Sequence, residues 1–305
     1  MEHQRRALGL GVRRALALAF PAILARVLFR AVLRRPAGRE ELDRWRRELR
    51  SDPGRIVPLV NWLVTSAEYQ SLVAGSPAAW DMMSHYLHLE RCRVVHALPP
   101  SPVIVDLGGA SPGDPRGALL AMGYPHRFER LTIVDVPPGK SFEQRSGVET
   151  FDVVRTGSGP VHYAYRHMKD AGRLDVEPGS VDLVWMGESV EHVTEAEFDD
   201  ILPWIVRSLR PGGRLGIDTP NRRVTRLLAP DSLIHSDHKI EYEVDALRAK
   251  LTGAGLVIEL EGGIGRADES LRTGRLDPGE IIWKSPLNSY ARDSYLMVLI
   301  AAKPT

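Results

Sequence analysis

The stretch VIVDLGGASPGD, Val103 to Asp114, decides the fold. An aliphatic run ends in an acid, Asp106, and breaks at once into Gly108, Gly109 and Ala110, small residues that let a ligand approach the backbone closely. Asp114 reads as a helix N-cap and Pro115 as the first helical position, so the loop is expected to lead into a helix N-terminus. A buried strand, a tight turn and a helix in that order make a nucleoside-type site. Gly108, Ala110 and Gly113 also have G-x-G-x-x-G spacing with Ala in the middle, so this motif alone leaves a nicotinamide enzyme open.

Working outward, further short apolar runs follow: LTIVDV (131–136), VDLVWM (181–186), RLGID (214–218), LVIEL (256–260) and YLMVLIAA (295–302). Continuous aliphatic strands separated by helical patterns indicate an α/β fold with a mostly parallel, doubly wound sheet. Asp135 ends the second of these strands. A carboxylate there can accept hydrogen bonds from both ribose hydroxyls, which suits any adenosine cofactor. Trp185 and Trp204 fall on apolar positions of a strand and a helix and are expected in the core.

The chain has 305 residues, enough for two domains. Hydrophobic residues at 43% and charged residues at 26% exclude global disorder. The single cysteine, Cys92, excludes a disulfide-stapled scaffold and fits a reducing compartment, so a cytoplasmic location is expected. Net charge is only +1, yet the first fifty residues hold thirteen arginines against five acids. That asymmetry argues against a nucleic-acid groove across the molecule. It marks residues 5–35 as a surface for an anionic membrane face or an acidic partner, against the plainer reading of a solvated helix face. The apolar stretch Ala15–Ala25 is interrupted by Pro21, flanked by arginines on both sides, and too short to span a bilayer. It reads as an interfacial or packing helix.

Residues 1–76 are expected to form a small all-α region. GREELDRWRRELR (38–50) places Leu42, Trp45 and Leu49 on one helical face. With Gly38, Glu41, Ser66, Glu68 and Tyr69, this segment resembles phycobilisome-linker-like modules, and the resemblance implies association rather than chemistry. Gly75, Ser76 and Pro77 punctuate the chain, and a second domain is expected over 77–305, opening with a helix over 80–97.

SVDLVWMGESVEHV (180–193), a helix, and then LRPGGRLGIDTPN (209–221) complete a third constellation. From about Asp81 onward the chain resembles the class I S-adenosylmethionine-dependent methyltransferases: the glycine-rich acid turn, Asp135, the strand-to-EHV junction, the RPGG turn and the last apolar strand come in the family's order. The resemblance implies a Rossmann-like sheet of seven strands and S-adenosylmethionine as cofactor. It also implies roles. Asp106, Gly108, Gly109 and Ala110 would cradle the methionine part, Asp135 and Val136 would hold ribose and flank adenine, Asp170 would contact the adenine amine, and Met186, Gly187 and Glu188 would line the cofactor. The family's second and third loop glycines are replaced by Ala110 and Pro112, and Pro112 both fixes φ and removes a donor.

Methyl transfer needs an acceptor in line with the methyl group and, for a hydroxyl, a base. His192 is the candidate base, and a core-satisfied histidine is the competing reading. HSDHKIEYE (235–243) supplies His235, His238 and Tyr242 as acceptor-facing residues. Two histidines three apart have no firm metal pattern, so no metal site is expected. The expected reaction is O-methylation of a sugar, a glycan or a small molecule, by analogy with bacterial glycan pathways and at the inner membrane face if residues 5–35 dock there. A non-catalytic methyltransferase-fold scaffold, docking through its basic N-terminus, is the alternative, and a nicotinamide oxidoreductase is the third reading.

Overall fold

A computed structural model describes residues 21–30, 32–33, 36–51, 59, 63, 77–111, 113–136 and 150–305. The chain divides into two compact units, Met1–Trp80 and Asp81–Thr305. In the first, residues 21–30 are helical and α1 spans Arg39–Ser51. Glu40 and Glu41 in its first turn suit the helix dipole, and Glu41 Oε2 accepts the Gly38 N–H at 2.7 Å. Trp45 and Leu49 are buried, as the spacing predicts. Ser66, Glu68 and Tyr69 of the linker-like resemblance lie outside the described residues, as does most of the arginine-rich start. No helix of the described residues is long and apolar enough to cross a membrane.

The second unit is built on one sheet of eight strands, one more than expected, in the order β3-β4-β2-β1-β5-β6-β8-β7. The strands are β1 (Val103–Leu107), β2 (Arg130–Asp135), β3 (Val153–Arg155), β4 (Pro160–Tyr165), β5 (Val181–Gly187), β6 (Leu209–Pro220), β7 (Val257–Arg266) and β8 (Ser294–Ala302). β1, β2, β4, β5 and β6 run parallel, whereas β8 is antiparallel to both β6 and β7, and β3 to β4. The extra strand is the three-residue edge β3. β4, PVHYAY, escapes an aliphatic search because aromatic and polar residues fill it, with Tyr163 and Tyr165 stacked at 5.4 Å.

β1 pairs with β2 on one side and β5 on the other, so the winding direction reverses at β1. In open sheets of this kind the crevice lies beyond the carboxyl ends of the strands at that reversal. Side chains alternate across β5: Val184 and Met186 join Phe198, Ile201 and Ile205 of α4 (Glu195–Ser208) in one buried cluster, while Trp185 faces the other way. A capping box starts α4: Thr194 Oγ1 accepts the Glu197 N–H, and the Glu197 carboxylate accepts that of Thr194.

Trp185, 1% exposed, stands directly across from Gly216 on β6. A Cβ at Gly216 would meet the indole Cε3 at 2.6 Å, and one at Gly187 would meet Nε1 at 2.5 Å. The ring therefore fills the space two glycines leave open. Gly216→Ala forces a buried ring to move and should cost about 1–3 kcal/mol. Urea unfolding followed by tryptophan fluorescence measures this, and an unchanged midpoint would refute the packing.

Candidate functional site

The glycine turn is shaped by what lies beneath it. Gly108 sits at φ +83°, donates its N–H to Val134 O at 2.8 Å, and has no room for a side chain, since a Cβ would lie 2.6 Å from Ser189 Cβ. Under Gly109 is the Asp106 carboxyl, only 2.0 Å from where a Cβ would stand. Asp106 is 1% exposed, and among the described residues Oδ2 has no hydrogen-bond partner. Burial, with the nearby Asp135 charge, pushes its pKa up to about 8. Asp106 therefore supports the loop from below rather than lining the crevice.

The expected cap at Asp114 is corrected. The next helix, α3 (Ala118–Ala121), starts later, behind Gly117 at φ +88°. The Asp114 carboxylate is instead taken by the N–H and guanidinium of Arg116, at 2.9 and 2.7 Å. Pro112 lies outside the described residues.

Asp135 closes the turn from the side. Its Oδ2 accepts the Ala110 N–H at 2.9 Å and its Oδ1 the Val136 N–H at 2.7 Å. One carboxylate thus ties the end of β2 to the loop after β1. A chamber of about 500 Å³ opens here, lined by Gly108, Ala110, Asp135, Val136, Met168 and Glu188. It lies within the range of small-molecule and cofactor sites. A second chamber of about 560 Å³, with Leu87, Arg91, Gly187, His192, His235 and His238 in its wall, shares Gly108, Ala110, Glu188 and His192 with the first.

Glu188, in the wall shared by the two chambers, belongs to a charged network. Arg91, from α2 (Pro77–His96), donates through Nε to Asp218 Oδ1 at 2.9 Å and through a terminal nitrogen to Glu188 Oε2 at 2.5 Å. Asp218, at the end region of β6, also accepts the Glu188 N–H at 3.0 Å. Glu188 adopts φ 45°, the only positive φ of a non-glycine among the described residues and a strained position for this side chain. Burial raises the Asp218 pKa and Arg91 pulls it back. Glu191, buried two residues before Val193, is pushed up to about 8 by burial and by Glu188.

His192 lines both chambers. Burial lowers its pKa, only partly offset by the hydrogen bond of Nδ1 with Asp237 O at 3.3 Å, which favours the neutral ring. The structure brings nine of the expected residues to the chambers: Gly108, Ala110, Asp135, Val136, Gly187, Glu188, His192, His235 and His238. It does not bring the others. Gly109 and Asp106 lie behind the wall. The Met186 side chain is core, and Asp170 pairs with Arg173 at 3.4 Å while its neighbours His167, Met168 and Lys169 do the lining. The expectation that Tyr242 faces the acceptor is corrected, because it is 3% exposed and packs against Phe198 in the core. Sequence reasoning missed Asp218, and it left Arg91 and Glu191 without roles. An acid immediately before TPN and an arginine mid-helix carry no local signal.

A family model described as a methyltransferase domain matches residues 126–217. No curated protein matches the chain in sequence. The methyltransferase in complex with the Haloferax volcanii Trm112 methyltransferase activator is similar at 18% identity, over 75% of this chain and 94% of that one, with a TM-score of 0.49. An S-adenosylmethionine-dependent methyltransferase of Thermotoga maritima is similar at 15% identity, over 80% and 99%, with a TM-score of 0.48. The Burkholderia thailandensis 1,6-didemethyltoxoflavin-N1-methyltransferase, solved with S-adenosylhomocysteine, is similar at 17% identity, over 75% and 83%, with a TM-score of 0.42. Residues 126–217 thus resemble a methyltransferase domain, and that match supports S-adenosylmethionine as the cofactor.

The buried Asp106 predicts a pH signature. Its folded pKa of about 8 lies above the ordinary 3.8, so between those values the folded state binds more protons than the unfolded one and stability falls as pH rises. Asp106→Asn removes this contribution. Its melting temperature relative to the parent should therefore climb steadily from pH 5 to pH 8 in thermal scans at each pH. Parallel curves for the two proteins would contradict the assignment.

Proposed function

We propose that the chain is an S-adenosylmethionine-dependent O-methyltransferase acting on a hydroxyl of a sugar, glycan or other small molecule. The observation that carries this reading is Asp135, whose carboxylate is fixed by two backbone N–H groups at the mouth of a chamber sited where the sheet reverses. The residues fit such a cofactor. Gly108, Ala110 and the Asp135 carboxylate line the chamber together, and Val136 and Met168 offer apolar surface to adenine. The cofactor supplies an electrophilic methyl group on a sulfonium. The acceptor enters the second chamber, where His192, His235 and His238 gather, and His192 serves to activate its hydroxyl.

The sugar acceptor rests on the EHV and TPN segments and on the linker-like resemblance of residues 38–69. The arginine-rich residues 5–35 are assigned to contact with an anionic membrane face or an acidic partner. Failure of the full-length protein to bind anionic vesicles at low salt would remove the membrane part of that assignment.

Calorimetric titration with S-adenosylmethionine and S-adenosylhomocysteine tests the cofactor site. Wild-type protein should bind both, and Asp135→Ala should lose about tenfold to a hundredfold in affinity, the worth of one or two charge-assisted hydrogen bonds. Asp135→Asn, which retains an acceptor for the loop, separates loss of ribose binding from loss of the loop. A folded wild-type protein that binds neither compound would sink the catalytic reading and leave the scaffold.

A further inference from the structure

We infer that Glu191, His192 and His238 form a site for one divalent first-row transition-metal ion in the wall of the acceptor chamber, where the ion would hold the acceptor's hydroxyl oxygen. The part that concerns the acceptor rests on the methyltransferase reading. The site itself does not.

One ligating atom from each of the three residues lies within 4.8 Å of the others. An ion bonded at about 2.0–2.2 Å to imidazole nitrogen and carboxylate oxygen closes such a triangle with small side-chain movements. Glu191 and His192 come from the turn after β5, and His238 from the loop between β6 and β7. That loop is fastened to the turn by the N–H groups of Lys239 and Ile240, which both donate to Glu191 O, at 2.7 and 3.3 Å.

The supporting contacts are those that ligands need. His238 Nδ1 meets Glu241 Oε1 at 2.8 Å, and the Glu241 carboxylate is itself locked by the Thr225 hydroxyl at 2.5 Å and the Ile234 N–H at 2.8 Å. His192 Nδ1 meets Asp237 O at 3.3 Å, and Glu191 Oε2 accepts the Thr219 hydroxyl at 2.9 Å. A histidine that donates Nδ1–H to a carboxylate or carbonyl presents its lone pair at Nε2, and metal-bound histidines are held in this way. A buried His–Glu pair alone would account for His238 and Glu241. It gives no reason for His192 and Glu191 to converge on the same point.

Two imidazoles and one carboxylate suit zinc, cobalt or iron better than magnesium or calcium, and three protein ligands leave a position open. The three residues line the acceptor chamber, and His192 lines the cofactor chamber as well. An acceptor oxygen on the open position would therefore stand next to the methyl donor. The O–H proton, made more acidic by the ion, leaves to solvent. The O–C bond forms as the methyl C–S bond breaks, and sulfur keeps that electron pair as a thioether. His192 then activates the hydroxyl through the ion rather than by taking the proton itself.

The test uses tag-free full-length protein stripped with a chelator, titrated with Co²⁺ by visible absorption and with Zn²⁺ by calorimetry. The expected result is one equivalent bound with the intense visible bands of a low-coordinate Co²⁺ site. His238→Gln, whose amide can still donate to Glu241, and Glu191→Gln should each weaken binding by about tenfold or more, while S-adenosylmethionine affinity and melting temperature in chelator stay close to wild type. Absence of stoichiometric binding, or a His238→Gln protein that binds Co²⁺ as wild type does, overturns the inference. Cofactor binding without metal binding defeats this site alone, whereas metal binding without cofactor binding defeats the methyltransferase reading and leaves the site standing.

Discussion

The carboxyl edge of the sheet is organised around one buried positive charge. Arg91 is inserted between Asp218 at the end of β6 and Glu188 just after β5, and the backbone of Glu188 donates to the same Asp218 oxygen. Desolvating these groups is costly, so the pairing is worth little as net stability, yet removal of one member leaves an uncompensated buried charge. The network's consequence is geometric. It holds Glu188 at φ 45° and so sets where the turn carrying Glu191 and His192 leaves the strand. Both chambers take their common wall from that turn.

The turn after β1 is held by the same economy of charge. Asp106 is buried under Gly109 as a carboxyl whose pKa lies near 8, and Asp135 beside it remains the hydrogen-bonded carboxylate. The charge of Asp135 adds to the burial that raises the pKa of Asp106. The deeper one fills space and shapes the loop. The shallower one lines the crevice and ties the loop to β2.

Most of the fold was legible because it is written in aliphatic runs. β1, β2, β5 and β8 are built on continuous apolar runs, and β6 on the shorter run within RLGID, so burial on both faces makes them readable. β4 was illegible for the opposite reason: His162, Tyr163 and Tyr165 make a strand of polar-tipped aromatics, and β3 is too short to carry a pattern. At the site, Gly108, Asp135 and Glu188 were legible because they sit at strand ends, where position along the chain sets position in space. Tyr242 was misplaced because it lies in an irregular segment, and Asp170 because it lies in a short 3-10 helix, Met168–Arg173, whose onset carries no strand or helix period. There a shift of one or two residues turns a side chain from crevice to core, or from wall to solvent.

The histidines show the limit most clearly. Judged by spacing along the chain, His235 and His238 form no metal pattern. His192 lies far upstream on a different turn, and Glu191 beside it reads only as the first residue of the EHV junction. Only the closing of the loop onto that turn, through two N–H groups on one carbonyl, brings His192, Glu191 and His238 together. Local spacing can reveal a site whose ligands share one helix or one hairpin. A site assembled across a chain reversal has no such period, and its supporting groups, Glu241, Thr219 and Thr225, are equally scattered along the chain.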